Sequence, residues 1–166
     1  MATVNSTWIT NAVAVPKVNT DSNESVGRAM VAKSAATVSA TIASGDIVRV
    51  VRVPSNARID AVFLSTADAT TAGAIDIGVY QTAENGGAVV DADLFASALA
   101  LTGGPFNRSE QTWESTQFTY AESCLPLWEV LGLTADSNRE YDIAATVTTT
   151  GDGMGTTIAL EVHYTF

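Results

Sequence analysis

The last stretch of the chain alternates without a break: Ile158, Leu160, Val162 and Tyr164 fall on one side, Ala159, Glu161, His163 and Thr165 on the other. A period of two marks a strand with one face on a core. A helix would scatter those four apolar side chains around its circumference. The same period runs through Tyr141, Ile143, Ala145 and Val147 against Asp142, Ala144, Thr146 and Thr148, and through Ile75, Ile77 and Val79 against Asp76, Gly78 and Tyr80. β-Branched residues are dense from Val26 to Ile42 and again from Ile47 to Val53, with Gly45-Asp46 as the turn between these runs. Pro54-Ser55-Asn56 ends the second run, and Arg58 to Ser65 resumes it. Glu84-Asn85-Gly86-Gly87 follows the Ile75 strand as a turn, while Gly151-Asp152-Gly153-Met154-Gly155 joins the last two strands and predicts a hairpin.

Two segments read as short helices. Asp91 is a candidate N-cap for Ala92–Leu101, where Leu94, Phe95, Ala98 and Leu99 form a stripe that Gly103-Gly104 would stop. Pro126 to Gly132 has proline at its start and glycine at its end, the asymmetry expected of a helix. Neither is long enough to be stable alone, so both must pack on sheets. The fold class predicted is mainly β: an antiparallel β-sandwich or jelly-roll-like barrel with two short helical inserts and an extended N-terminal arm.

The arm is residues 1–25, where isolated apolar residues such as Trp8, Ile9, Val13 and Val15 sit among Asn, Thr and Ser and no period is sustained. Such a segment becomes ordered where Trp8 and its neighbours find a surface to bury against. Residues 26–166 form the single β-sandwich domain. A chain of 166 residues is long enough to bury roughly 70% of its unfolded surface in one domain.

Charge limits the partners. The formal net charge is −10, and charged residues are only 16% of the chain, against about 25% in an average soluble protein. Much of the surface is therefore small and neutral. The charge is also uneven: residues 1–60 hold six basic and four acidic side chains, residues 61–166 two and fourteen. This balance disfavours sequence-independent nucleic-acid binding. No run reaches the about 18 consecutive apolar residues of a membrane span, and the start of the chain lacks the basic-then-apolar pattern of a secretory signal. A soluble protein made in a cytoplasm is expected.

The side chains that carry chemistry are few. Cys124 is the one cysteine, set beside Leu125 in an apolar segment, and reads as a small core residue rather than a nucleophile. His163 is the one histidine, which leaves no multi-histidine metal site and no histidine triad with a partner in view. Asp91 with Asp93, and Asp136 with Glu140 and Asp142, could supply oxygen ligands to calcium, but neither set matches an EF-hand loop. The glycine run at 151–155 lacks the Lys-Ser/Thr ending of a phosphate-binding loop. No cofactor, metal or catalytic residue is assigned, and the chain is expected not to be an enzyme. Trp128 reads as core, whereas Trp113, flanked by polar residues, is the candidate exposed aromatic contact.

Val53-Pro54-Ser55-Asn56-Ala57-Arg58-Ile59, Asp76-Ile77-Gly78-Val79-Tyr80, Asp93-Leu94-Phe95-Ala96, Pro126-Leu127-Trp128-Glu129-Val130-Leu131-Gly132-Leu133 and Tyr141-Asp142-Ile143-Ala144-Ala145-Thr146, in that order, resemble the small virion proteins of tailed bacteriophages. The resemblance runs from about Arg49 to Phe166. It implies a capsid decoration, or cement, protein on the capsid exterior, often a trimer, that reinforces contacts between major capsid subunits. The expected partner is the major capsid protein, with no nucleic acid and no membrane. Trp8, Lys17, Arg28 and Lys33 are the candidate capsid contacts, since the N-terminal part carries the excess of positive charge. Competing roles are a head-fibre, tail or connector component, a carbohydrate-binding β-sandwich module, and a hydrolase built on a carboxylate pair.

Overall fold

The computed structural model describes residues 28–38, 42–67, 72–102, 105–150 and 157–166. Eight strands are formed: β1 (Met30–Thr37), β2 (Ile47–Pro54), β3 (Arg58–Thr66), β4 (Ala74–Gln81), β5 (Val89–Ala100), β6 (Ser109–Glu110), β7 (Glu140–Thr149) and β8 (Thr157–Thr165). They make two antiparallel four-stranded sheets, of order β1-β8-β3-β6 and β2-β7-β4-β5. The sheets are open and face each other as a sandwich, not a closed barrel. The alternating residues meet between them: Val53, Ile59, Leu64, Ile75, Ile77, Val79, Ile143, Val147, Ile158, Leu160 and Val162 are at most 1% exposed and belong to one core cluster.

The pairing is nested. β1 pairs with β8, β2 with β7, β3 with β6 and β4 with β5. The chain thus behaves as one long antiparallel ribbon, doubled at β4–β5 and laid back and forth across two layers. Among the described residues, β4 and β5 are the only consecutive strands that pair.

That topology corrects the expected hairpin at the C-terminus. β7 lies between β2 and β4, whereas β8 lies between β1 and β3 in the other sheet. Period two fixes a strand and its buried face but not its neighbours, and two strands with one apolar face each suit opposite walls of a sandwich equally well. The connecting glycine run, residues 151–155, lies outside the described residues. The Gly45 turn is present, with Gly45 at φ +92° and the Asp46 carboxylate accepting from the Ala43 N–H (2.7 Å). It leads from one sheet to the other.

The helix expected at Ala92–Leu101 is instead β5, a twelve-residue strand. Its register against β4 shifts three times; Ile77 pairs with Ala96 and Val79 with Asp91, so four residues of β5 stand opposite Gly78. In a bulge the alternation lapses and adjacent side chains can share a face. Leu94, Phe95 and Ala96 are accordingly all buried, and this imitates a helical stripe in the sequence. The bulge crosses directly over Gly78, where a Cβ would lie 2.1 Å from the Asp91 carbonyl oxygen and 2.3 Å from the backbone of Ala92. Only glycine fits. A second bulge follows at Ala98, whose φ is +49° and whose N–H donates to the Asp76 carboxylate at 2.6 Å.

Two helices of four residues do occur, α1 (Tyr120–Ser123) and α2 (Leu127–Val130). α2 falls where proline and glycine predicted it, with Pro126 as N-cap and Gly132 at φ +72°. Its buried residue is Leu127, while Trp128 is only half-buried. α1 starts where Glu122 reaches back to accept from the Thr119 N–H (2.5 Å).

Candidate functional site

The outer face of each sheet is organised around one carboxylate. On the first sheet it is Glu161 of β8, a polar position of the alternating pattern. Register places Lys33 of β1 beside it on one side and Phe63 of β3 on the other. Lys33 Nζ lies 3.3 Å from Glu161 Oε2. Arg108, delivered by the segment just before β6, donates to Oε1 through Nε (3.1 Å) and Nη2 (2.8 Å). His163 Nε2 is 2.7 Å from the same oxygen. Phe63 is packed between the Arg108 guanidinium, 4.3 Å from the ring centroid, and the His163 ring at 5.2 Å. These contacts hold the Glu161 carboxyl down to about 2, the Arg108 hydrogen bonds first, then those of His163 and Lys33, against desolvation.

On the second sheet the centre is Asp142 of β7, buried although it is charged. Arg52 Nε (2.8 Å) and Arg49 Nη1 (3.0 Å) both donate to it. Arg49 also donates to the carbonyls of Gln81 (2.6 Å) and Gly87 (2.8 Å), and its guanidinium lies 5.6 Å from the centre of the Tyr80 ring. Arg52 reaches on to Glu84 and Glu140. A cleft of about 310 Å³ opens here between Arg49, Arg52, Ala83 and Asp142. Tyr80 is fully buried beneath this layer, with its hydroxyl on Thr146 Oγ1. Burial raises its pKa. Burial likewise raises Asp91, which accepts from the Asp93 N–H.

Both carboxylates are thus matched by the cations around them. The second calcium candidate, Asp136 with Glu140 and Asp142, does not gather its ligands. Asp136 accepts from the Asn138 N–H (2.8 Å) and from the Ser55 hydroxyl, while Asp142 is taken by the two arginines. Among the described residues no group of three or more His, Cys, Asp or Glu is placed to hold a metal ion.

Trp8 and Lys17 lie outside the described residues. Arg28 is exposed just ahead of β1, and Lys33 projects from β1 with its side chain 67% exposed. Trp113 is 40% exposed and stacks on buried Phe118 (centroids 5.6 Å apart), which in turn meets Phe95 edge-on at 5.2 Å. The structure does not bring Trp113 together with Lys33. Cys124 is half-buried at the end of α1, where its carbonyl accepts from Arg58 Nε at 3.1 Å. The pairing of Asp142 with Arg49 and Arg52, and of Glu161 with Lys33 and Arg108, has no signal in the sequence. The alternating pattern puts His163 beside Glu161 on the polar face of the last strand, and the 2.7 Å contact bears this out, but Arg108 comes from 53 residues away with no local signal.

The fold defines a two-sheet antiparallel β-sandwich protein. A chain of the cyanophage Pam1 capsid asymmetric unit is similar to this one at 16% identity over 100% of this chain and 99% of that chain, with a TM-score of 0.43. No family model and no curated protein matches the chain.

Proposed function

We propose that this chain is a structural protein of a tailed-phage particle, and within that role a decoration protein that binds the outer surface of the capsid lattice. The observation that supports this most is the strand pairing. Sheets of order 1-8-3-6 and 2-7-4-5 follow the order of a jelly roll, an architecture recurring in viral capsid and lectin domains and in cupins. Fold alone does not choose among these hosts. The resemblance of residues 49–166 to phage virion proteins favours the particle.

In this reading the acidic body faces solvent and the N-terminal part grips. Trp8 and the apolar residues near it become ordered on the capsid, with Lys17, Arg28 and Lys33 meeting acidic patches of the major capsid protein. Association is then faster at low salt, because exposed charges are screened beyond roughly 8 Å at physiological ionic strength. Many copies on a lattice turn weak single contacts into durable attachment. A closed ring of three copies is the assembly that the resemblance implies.

The test is co-sedimentation with undecorated capsids. The full chain is expected to bind with an affinity that falls as salt rises, and a chain lacking residues 1–25 to fold but bind poorly. Unchanged occupancy and salt dependence in the truncated chain would remove the arm from the interface. A second reading, a carbohydrate-binding module, draws on one observation, the exposed Trp113 ledge. A glycan screen of the isolated protein separates the two, because a lectin binds sugar without any capsid.

A further inference from the structure

Four strands form the lateral edges of the two sheets, and natural β-proteins protect such edges from pairing with other chains. β6 is two residues long. β5 is broken by three register shifts. β2 has a register shift at Arg49/Val51, carries Arg49 and Arg52, and ends on Pro54. β1 has only one of these devices, the charge of Lys33, and that is held in an ion pair with Glu161. Its eight residues pair with β8 in unbroken register from Met30↔Tyr164 to Thr37↔Thr157, it contains no proline, and its only charge is Lys33. Val31, Ala35 and Thr37 are exposed along it. Where β1 ends, the mouth of the sandwich opens as a groove of about 450 Å³ whose apolar wall is Ala36, Val38, Ile42, Ile47 and Val48, with Thr37, Asp46 and Arg49 completing its lining.

We propose that this edge is an interface with a second copy of the chain, in which two β1 strands pair antiparallel about a two-fold axis and join their sheets into one of eight strands. The strand is complementary to itself. Side chains of paired residues must fall on the same face, which restricts the two-fold to a residue, not to a point between residues. Centring on Lys33 would set Lys33 against its own copy. Centring on Ser34 pairs all of β1 over roughly 26 Å, sets Lys33 opposite Ala35 and Val31 opposite Thr37, and leaves no like charges facing. It also brings Met30 of the second copy opposite Val38, at the groove. Met30 lies on the inward-facing side of β1, packed against the core, and a flexible thioether side chain adapts to an irregular gap. Each copy gives one Met30 and receives one, as an isologous contact requires. Arg28 to Val38 contains no acidic residue, so a chain of net charge −10 pairs its two β1 strands without acid facing acid, and the one carboxylate lining the groove, Asp46, shares it with Arg49.

Sedimentation velocity on the full-length protein tests this. A two-fold contact requires an even number of copies, two, or six where rings of three form through another surface. Ala35→Lys places a lysine opposite Lys33 twice in the Ser34-centred register and is expected to weaken association by about tenfold, whereas Ala35→Glu is expected to tighten it by a similar factor. Ala35 is exposed, so both variants should fold, which circular dichroism checks. Wild-type protein that stays monomeric, or forms only threes, at its highest soluble concentration overturns the proposal. So does an even-numbered species that responds equally to both variants. Capsid co-sedimentation of the chain lacking residues 1–25, which leaves β1 untouched, is a separate readout, so failure of the two-fold contact is distinguishable from failure of the capsid reading.

Discussion

β1 and β5 are both long edge strands, yet they solve opposite problems. β1 is regular, pairs with β8 without a break, and among the described residues makes no backbone hydrogen bond on its outer edge, although β2 of the other sheet packs close to it. β5 folds over its neighbour instead. It crosses Gly78, turns at Ala98 under the Asp76 carboxylate, and is clasped by the segment after β6. There the Ser97 N–H donates to Glu114 (2.8 Å), and the Ser115 hydroxyl donates to the Leu94 carbonyl (2.6 Å). Bulges and side-chain acceptors use up an edge, while an unbroken ladder keeps it available for pairing. The same chain thus uses up the backbone edge of β5 and leaves that of β1 unpaired among the described residues.

Several substitutions would break or sharpen this contrast. The largest effect is expected at Gly78→Ala, since the added Cβ meets backbone at 2.1–2.4 Å. Backbone cannot swing aside as a side chain can, so β5 must leave β4 at a loss of about 3 kcal/mol or more. Denaturant unfolding measures this, and a neutral result would mean that the crossing does not exist. Asp76→Ala removes the acceptor of the Ala98 N–H in its left-handed turn and should cost about 1–2 kcal/mol, whereas Lys33→Ala on β1, where the ion pair is exposed, should stay within about 0.5 kcal/mol.

Acid should act on the two sides in opposite directions. Glu161, below β1, is held near 2 against an ordinary 4.5. A depressed carboxyl contributes stability above its unfolded pKa and loses it as pH falls from about 4.5 towards 2. Asp91 on β5 is raised by burial, so its contribution is present below its unfolded value and is lost as pH rises through the folded one. Glu161→Gln should therefore flatten the acid limb of a stability–pH profile, and Asp91→Asn should stabilise slightly near neutral pH. Matching profiles for wild type and Glu161→Gln would show that the Arg108–Glu161 contact is absent in solution.

Much of this molecule was legible in its residues. Alternation at Ile158–Tyr164, Tyr141–Val147 and Ile75–Val79 located three strands and the faces they bury, because burial on a pleated surface imposes period two whatever the neighbours are. Proline and glycine located α2 for an equally local reason. The charged clusters were legible only in part: Lys33, Glu161 and His163 stand out as polar positions, but their meeting with Arg108 depends on β3 pairing with both β8 and β6.

The sequence by itself determined the β class, the strand faces and the shortage of chemistry-bearing side chains, since each is a property of local spacing or of composition. Only the tertiary structure decided which strands are neighbours, that β7 and β8 lie on opposite sheets, and that Leu94 and Phe95 belong to a bulge rather than a helix. Pairing partners are chosen by contacts across long stretches of chain, where the cost of closing a loop grows only slowly with its length. A bulge is defined by the strand it is laid against, and until Gly78 stands beneath it, the segment from Asp91 to Ala96 carries no mark of its shape.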